Sequence, residues 1–168
     1  MDNSAPEYWL RGPVHGIPDV LQPAAHALLQ TQLEARQYTE GLQDDLLWKT
    51  PYSRASIGFH LQHIAGVTDR MMTYAKADSL SEDQFNDLDS KGKADENVQL
   101  QDLLSQLDLK VEEMLSYFRE LHEVDLTEYR SVGRKKLPSS LLGILFHASE
   151  HSQRHIGQLL VTVSILKN

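Results

Sequence analysis

Residues 98–121, VQLQDLLSQLDLKVEEMLSYFREL, carry the clearest helical pattern in the chain. Apolar side chains recur there every three or four positions, which places them on one face of an α-helix with polar side chains opposite. Such a face is stable only when it is buried against another element. The stretch therefore predicts a helix that packs within a larger helical assembly.

Three other segments have the same spacing, at residues 19–42, 55–77 and 138–166. Pro23 is tolerated only in a first turn, so the first helix should begin near its predicted start. Pro138 is likewise expected in the first turn of the last helix. No strand-like alternation competes with these patterns. The sequence predicts an all-α fold, a four-helix bundle.

The segments between these helices complete the predicted organisation. Residues 78–96 are polar and acidic, and they read as a solvated loop with a short helix near 82–88. This loop is long enough for a crossover connection, so simple up-and-down order is not required. Residues 1–18 form an irregular arm. No internal repeat interrupts the chain, and we expect one domain over residues 1–168.

Composition excludes several classes of protein. The chain of 168 residues has a net charge of −8, which argues against a nucleic-acid binder because no basic surface would meet a phosphate backbone. It has no cysteine, which excludes disulfides and thiolate metal sites. No signal peptide and no apolar run of about 20 residues is visible. We expect a cytoplasmic protein that does not associate with membranes.

Three histidines in the last predicted helix, His147, His151 and His155, are each four residues apart. Side chains at this spacing lie on neighbouring turns of one helix side, so two rings can reach one metal ion. On a helical wheel His155 lies nearest the apolar face, His151 at its border and His147 furthest out. The pair His151 and His155 is therefore the better inward-facing chelate.

The second predicted helix supplies candidates for the rest of the site. His60 and His63 are three residues apart, with His60 in the middle of the apolar face and His63 at its edge. Either could meet the pair on the last helix across a bundle. Three histidines would leave a position for water or substrate, as in catalytic rather than structural zinc sites.

A competing motif overlaps this histidine series. His147, Glu150 and His151 match the H-x-x-E-H signature of inverzincin proteases, with two histidine ligands and a glutamate base. Such proteases need a carboxylate ligand well downstream, and only 17 residues follow His151. We therefore interpret Glu150 as a surface residue or one that orients a ligand ring.

Residues 56–66, SIGFHLQHIAG, and 151–158, HSQRHIGQ, together resemble the DinB/YfiT-like superfamily. Residues 9–12, WLRG, and Asp69-Arg70 are also similar to its members, in the same order along the chain. The resemblance implies a four-helix bundle, often dimeric, that binds a divalent metal such as nickel or zinc. Ile156 stands where the family usually has arginine.

The resemblance also implies which residues bind the metal. The ligands would be His63 from the second helix, with His151 and His155 from the last. His60 would then be a core residue or one that contacts a ligand. The roles of His60, His147 and Glu150 stay open at this point.

Two functions are compatible with these residues. The first is a metal-dependent enzyme that acts on a small-molecule substrate, either a hydrolase or a thiol S-transferase using a low-molecular-weight thiol such as bacillithiol or mycothiol. The alternative is a non-catalytic metal-binding or structural helical bundle. A homodimer is compatible with a second apolar face on the last helix, formed by Leu142, Phe146 and Leu160.

Overall fold

The computed structural model describes residues 5–90, 92–95 and 97–167. Residues 1–4 of the predicted arm, residues 91 and 96 of the predicted acidic loop, and residue 168 lie outside the described part. The described residues form five α-helices and one β-hairpin, which confirms the predicted all-α class. The elements are α1 (Gln22–Thr39), α2 (Ile57–Ala75), α3 (Glu82–Ser90), α4 (Leu100–Arg119), β1 (Tyr129–Val132), β2 (Leu137–Ser140) and α5 (Leu141–Lys167).

The four long helices α1, α2, α4 and α5 form the bundle. α2 packs against α4 and α5, and α1 packs against the same two helices. α1 and α2 therefore occupy opposite corners, and the connections from α1 to α2 and from α4 to α5 cross the bundle diagonally. The acidic segment 78–96 instead joins the neighbouring helices α2 and α4. The connectivity thus departs from simple up-and-down order. The segment 78–96, which the sequence offers as a possible crossover, is not one of the diagonal connections.

The core is formed by the apolar faces that the helical spacing predicts. In α4, the buried residues are Leu103, Leu104, Leu107, Val111, Met114, Leu115 and Phe118. Complete burial of such a side chain contributes about 1.5–3 kcal/mol. The polar residues between them face outward, as the amphipathic pattern of this stretch requires.

The region before α5 differs from the prediction. The sequence predicts that the last helix begins at Pro138, but Pro138 lies in strand β2, where it pairs with Ser131 of β1. Gly133 has a φ of +72° and Lys136 a φ of +47°, and the Lys136 N–H donates to the Gly133 carbonyl at 3.0 Å. This turn closes a two-stranded sheet in which both strands are edges, where proline is tolerated without an N–H.

The hairpin also sets where α5 begins. The Ser140 hydroxyl accepts a hydrogen bond from the Gly143 N–H at 3.1 Å, which satisfies a free amide of the first turn. The Leu141 N–H donates to the carbonyl of Glu128 at 2.9 Å. Ser140, rather than the proline two residues earlier, therefore caps the helix that carries the histidine series.

Some apolar side chains of α5 face away from the bundle. Phe146 is 57% exposed and Leu160 is 38% exposed, while Leu142 is partly buried. This apolar surface is not covered within one copy of the chain. Among the described residues, no helix combines the length and apolarity needed to cross a membrane.

Candidate metal centre

Helix α2 presents two histidines to α5. Ser56 caps the start of this helix, and its hydroxyl accepts a hydrogen bond from the Phe59 N–H at 3.1 Å. One turn later His60 is only 2% exposed, whereas His63 is partly buried. The apolar face of α2 thus carries one fully enclosed imidazole and one at its border, as the wheel predicts.

Helix α5 supplies the opposing side. His151 and His155 are partly buried. The side chain of His147 is 45% exposed to solvent. The ring centroids of His151 and His155 are 4.6 Å apart, because their four-residue spacing stacks them on adjacent turns.

The structure brings together the three residues that the family resemblance implies as ligands. The Nε2 atoms of His63 and His151 are 2.8 Å apart. One ring nitrogen from each of His63, His151 and His155 lies within 4.8 Å of the others. Three imidazoles from two helices therefore converge on one point, an arrangement that could hold a metal ion. That they bind one stays a prediction.

The donor set fits a borderline divalent metal. All three groups are imidazoles, which suit zinc, nickel and copper better than calcium or magnesium. The contact between His63 and His151 requires one ring to donate a proton to the other, since two lone pairs would repel at this distance. A metal ion at this point would replace that proton.

Two neighbours constrain the orientation of the candidate ligands. The Nδ1 atoms of His60 and His155 are 3.0 Å apart. Burial lowers the pKa of His60 to about 4, so this ring is neutral at physiological pH. The Phe59 ring stacks on His63 with 5.3 Å between centroids and 7° between planes. Two of the candidate ligands are therefore held by packing or hydrogen bonding.

A second group lies further out on α5, and it matches the competing motif. His147, Glu150 and His151 also offer ligand atoms within 4.8 Å of one another. The Glu150 carboxylate, however, accepts hydrogen bonds from His147 Nδ1 at 2.9 Å and from Arg154 Nη2 at 3.0 Å. It also forms an ion pair with Arg154 Nε at 2.8 Å. Desolvation acts to raise the pKa of Glu150, but the bonds from Arg154 and His147 outweigh it and keep that pKa below its ordinary value. A carboxylate held in this way is a weak base.

Arg154 was not singled out from the sequence, although its position three residues after His151 could have indicated a contact. Its Nη2 lies 2.9 Å from His151 Nδ1. Arginine can only donate, so this nitrogen of His151 accepts, and a neutral His151 then carries its proton on Nε2. That Nε2 is the atom that faces His63.

Comparison with models of protein families identifies a family for this chain. No curated protein sequence matches the chain. The family model of the DinB superfamily matches residues 27–159, a span that contains α2, α4 and the three converging histidines. The chain belongs to the DinB superfamily.

Proposed function

We propose that this chain is a metal-dependent enzyme that uses His63, His151 and His155 to bind nickel or zinc. The single observation that carries the proposal is the convergence of their ring nitrogens within 4.8 Å. Three imidazoles leave at least one coordination position for water or a thiolate, as catalytic sites require.

The bound metal would act as a Lewis acid, lowering the pKa of water toward about 7 or binding a thiolate. The residues of the chain hold the ligand rings, and the three histidines are only partly buried, so they keep some contact with solvent. This access suits a small-molecule substrate.

Between the two reactions, the surroundings favour a thiol S-transferase over a hydrolase. A hydrolase needs a general base near the metal. Glu150 belongs to the second group, together with His147 and His151, but Arg154 and His147 hold it ionised at a lowered pKa. Asp69, two turns along α2, is paired with Lys110 at 2.9 Å. A transferase needs no such base, because a metal-bound thiolate itself attacks the electrophile.

The alternative is a metal-binding bundle without catalysis, in which the ion only joins α2 to α5. A fourth protein ligand would favour it by closing the site. In the part of the chain that the structure describes, neither His60 nor His147 belongs to the group formed by the three candidate ligands. His60 is instead directed at His155. We therefore favour the open, enzymatic site.

We also propose that the chain forms a homodimer through the exposed apolar face of α5. Phe146, at 57% exposure, would be its centre, since large exposed apolar side chains mark interaction surfaces when they cluster. Light scattering after size exclusion tests this, and Phe146→Glu should give a monomer. A wild-type protein that is monomeric at 100 μM would overturn the dimer.

The test of metal binding is the metal content of protein purified without an affinity tag that binds metal. We expect close to one equivalent of nickel or zinc, and a higher melting temperature on adding either ion to chelated protein. Less than ~0.2 equivalents without any thermal shift would overturn the proposal. Turnover with bacillithiol or mycothiol and an electrophile, set against hydrolysis of an ester, then separates the two reactions.

A further inference from the structure

A small polar cavity of about 120 Å³ lies beside His63, between α2 and α4 and close to α3. Its volume is far above the ~15 Å³ that one water needs, so a small ligand group fits inside. His63 lines this cavity as well as the candidate metal centre. A molecule in the cavity would therefore lie next to a candidate metal ligand.

The Arg70 side chain lines the cavity and is the feature that indicates a ligand. It is only 6% exposed. Within the described ranges, no carboxylate oxygen lies within 4 Å of its guanidinium, and no acceptor forms a hydrogen bond with it. The side chain lines the cavity, so the N–H groups of the guanidinium can donate to an anion that enters it.

The acidic residues around the cavity do not fill this role. Asp69 pairs with Lys110 at 2.9 Å and also accepts a hydrogen bond from Gln84. Asp87 also lines the cavity, and its charge acts on Arg70. Burial lowers the pKa of Arg70 while the charges of Asp69 and Asp87 oppose that effect. The two carboxylates would repel a dianion more strongly than a monoanion.

Gly66 explains how the guanidinium reaches this place. A Cβ atom at Gly66 would lie 2.8 Å from Nη1 of Arg70, so the guanidinium occupies the space that any other residue would fill. Gly66 is one helical turn after His63 on the same side of α2. The missing side chain therefore allows the positive charge to fold back along the helix toward the candidate metal centre.

We propose that Arg70 binds the carboxylate of a small-molecule ligand in this cavity. The planar guanidinium offers parallel N–H donors that match a carboxylate, and a monoanion suits the neighbouring acidic residues. As a substrate subsite the cavity rests on the proposed function, because His63 would then connect the carboxylate site with the metal. Binding of a carboxylate does not itself require the metal.

The test is an NMR titration of the full-length, chelator-treated protein, followed through the Arg70 Nε–Hε signal and the backbone amides of residues 63–70. Sodium acetate and inorganic phosphate are the probes, and sodium chloride at equal ionic strength is the reference. We expect saturable shifts with acetate, at least threefold weaker binding of phosphate, and no saturation with chloride. Because metal is absent throughout, a protein that fails to bind metal can still pass this test.

Three variants assign the binding to Arg70. Arg70→Gln should weaken acetate binding at least tenfold. Gly66→Ala should weaken it at least fivefold by displacing the guanidinium, and it keeps the charge while favouring the helix, so it should fold even if Arg70→Gln does not. Arg54→Gln, at an exposed position, is the matched control and should change nothing.

Three results would overturn the inference. The first is the absence of saturable acetate shifts in the wild-type protein. The second is equal acetate affinity in the wild type and in folded Arg70→Gln or Gly66→Ala. The third is phosphate binding as tight as acetate binding or tighter, which would reject a carboxylate as the ligand group.

Discussion

The Nδ1 atoms of His60 and His155 face each other at 3.0 Å across the interface of α2 and α5. If His155 binds a metal through Nε2, its Nδ1 must carry the proton and donate it to His60. The buried, neutral His60 can accept that hydrogen bond. In a metal-bound protein His60 would therefore orient a ligand without being one, which would explain a histidine at the centre of an apolar helix face.

We expect His60→Ala to weaken metal binding by about 10–100-fold, the usual effect of losing a group that orients a metal ligand. The His60→Gln variant should lose less metal affinity than His60→Ala, because the glutamine amide oxygen can accept the same hydrogen bond. Competition with a chromophoric chelator measures both affinities. Equal affinities for wild type and His60→Ala would show that His60 is only a packing residue.

The metal-free protein should lose stability in mild acid through His60. Burial lowers the pKa of His60 to about 4, whereas the unfolded chain titrates near 6.5. Between these values only the unfolded state gains the proton, so stability is lost as the pH falls from about 6.5 to 4, by about 3 kcal/mol at most. Urea unfolding of chelated wild type and His60→Gln at several pH values measures this. The variant should show a smaller loss, and parallel curves would contradict the assignment.

Single alanine substitutions should separate the two histidine groups. His63→Ala and His155→Ala should each reduce metal affinity by more than the ~100-fold expected for an orienting residue. His147→Ala should leave it within about twofold, since this side chain is 45% exposed and bonds to Glu150. Isothermal titration with nickel and zinc measures the series. Loss of binding in His147→Ala with retention in His63→Ala would move the site to the outer group.

The bundle could be predicted because apolar residues that recur with helical spacing lie on the buried face of a helix. The seven buried apolar residues of α4 follow the spacing of residues 98–121. The hairpin was missed because Pro138 is compatible with a helix start as well as with an edge strand. The strand forms because Pro138 pairs with Ser131. The two segments that pair are short and show no periodic pattern of apolar residues, so the sequence does not reveal their contact.

The sequence predicts on which face of each helix the candidate site residues lie. It does not predict which side chains of the two helices contact each other. The wheel separates His147 from the inner pair, but on α2 it places His60 nearer the core than His63, whereas the family resemblance implies His63 as the ligand. Only packing shows that His63 meets His151 while His60 meets His155. The contact of Arg154 depends on a long side chain with several rotamers, which spacing alone does not determine.

Two glycines should respond in opposite ways to alanine. At Gly58 a Cβ would lie 2.5 Å from Cζ3 of Trp48, so Gly58→Ala should destabilise the protein by about 1–3 kcal/mol despite a better helix propensity. Gly157, exposed in α5, has no such neighbour within 4 Å, and Gly157→Ala should stabilise by up to about 1 kcal/mol. Urea unfolding measures both. Similar effects in the two variants would contradict the close packing of Trp48 on α2.

Arg154 should compete with the metal for His151. Its bond to Nδ1 keeps the proton of a neutral His151 on Nε2, the atom directed at the candidate metal position. Metal binding through Nε2 requires that proton to move to Nδ1, which breaks the bond to Arg154. Because Arg154 is exposed, the bond should be worth about 0.5–1 kcal/mol. Arg154→Ala should therefore raise metal affinity about two- to fivefold.

The same substitution removes a positive charge near the metal, and salt separates that effect from the hydrogen bond. Repulsion between Arg154 and the metal cation is largely screened at 1 M salt, whereas a direct hydrogen bond is not. Chelator competition with wild type and Arg154→Ala should thus show a gain that persists at 1 M sodium chloride, with the exposed Arg54→Ala as the matched control. A gain that disappears in high salt would assign the effect to charge alone. An unchanged affinity in both salts would show that His151 binds metal without giving up its contact with Arg154.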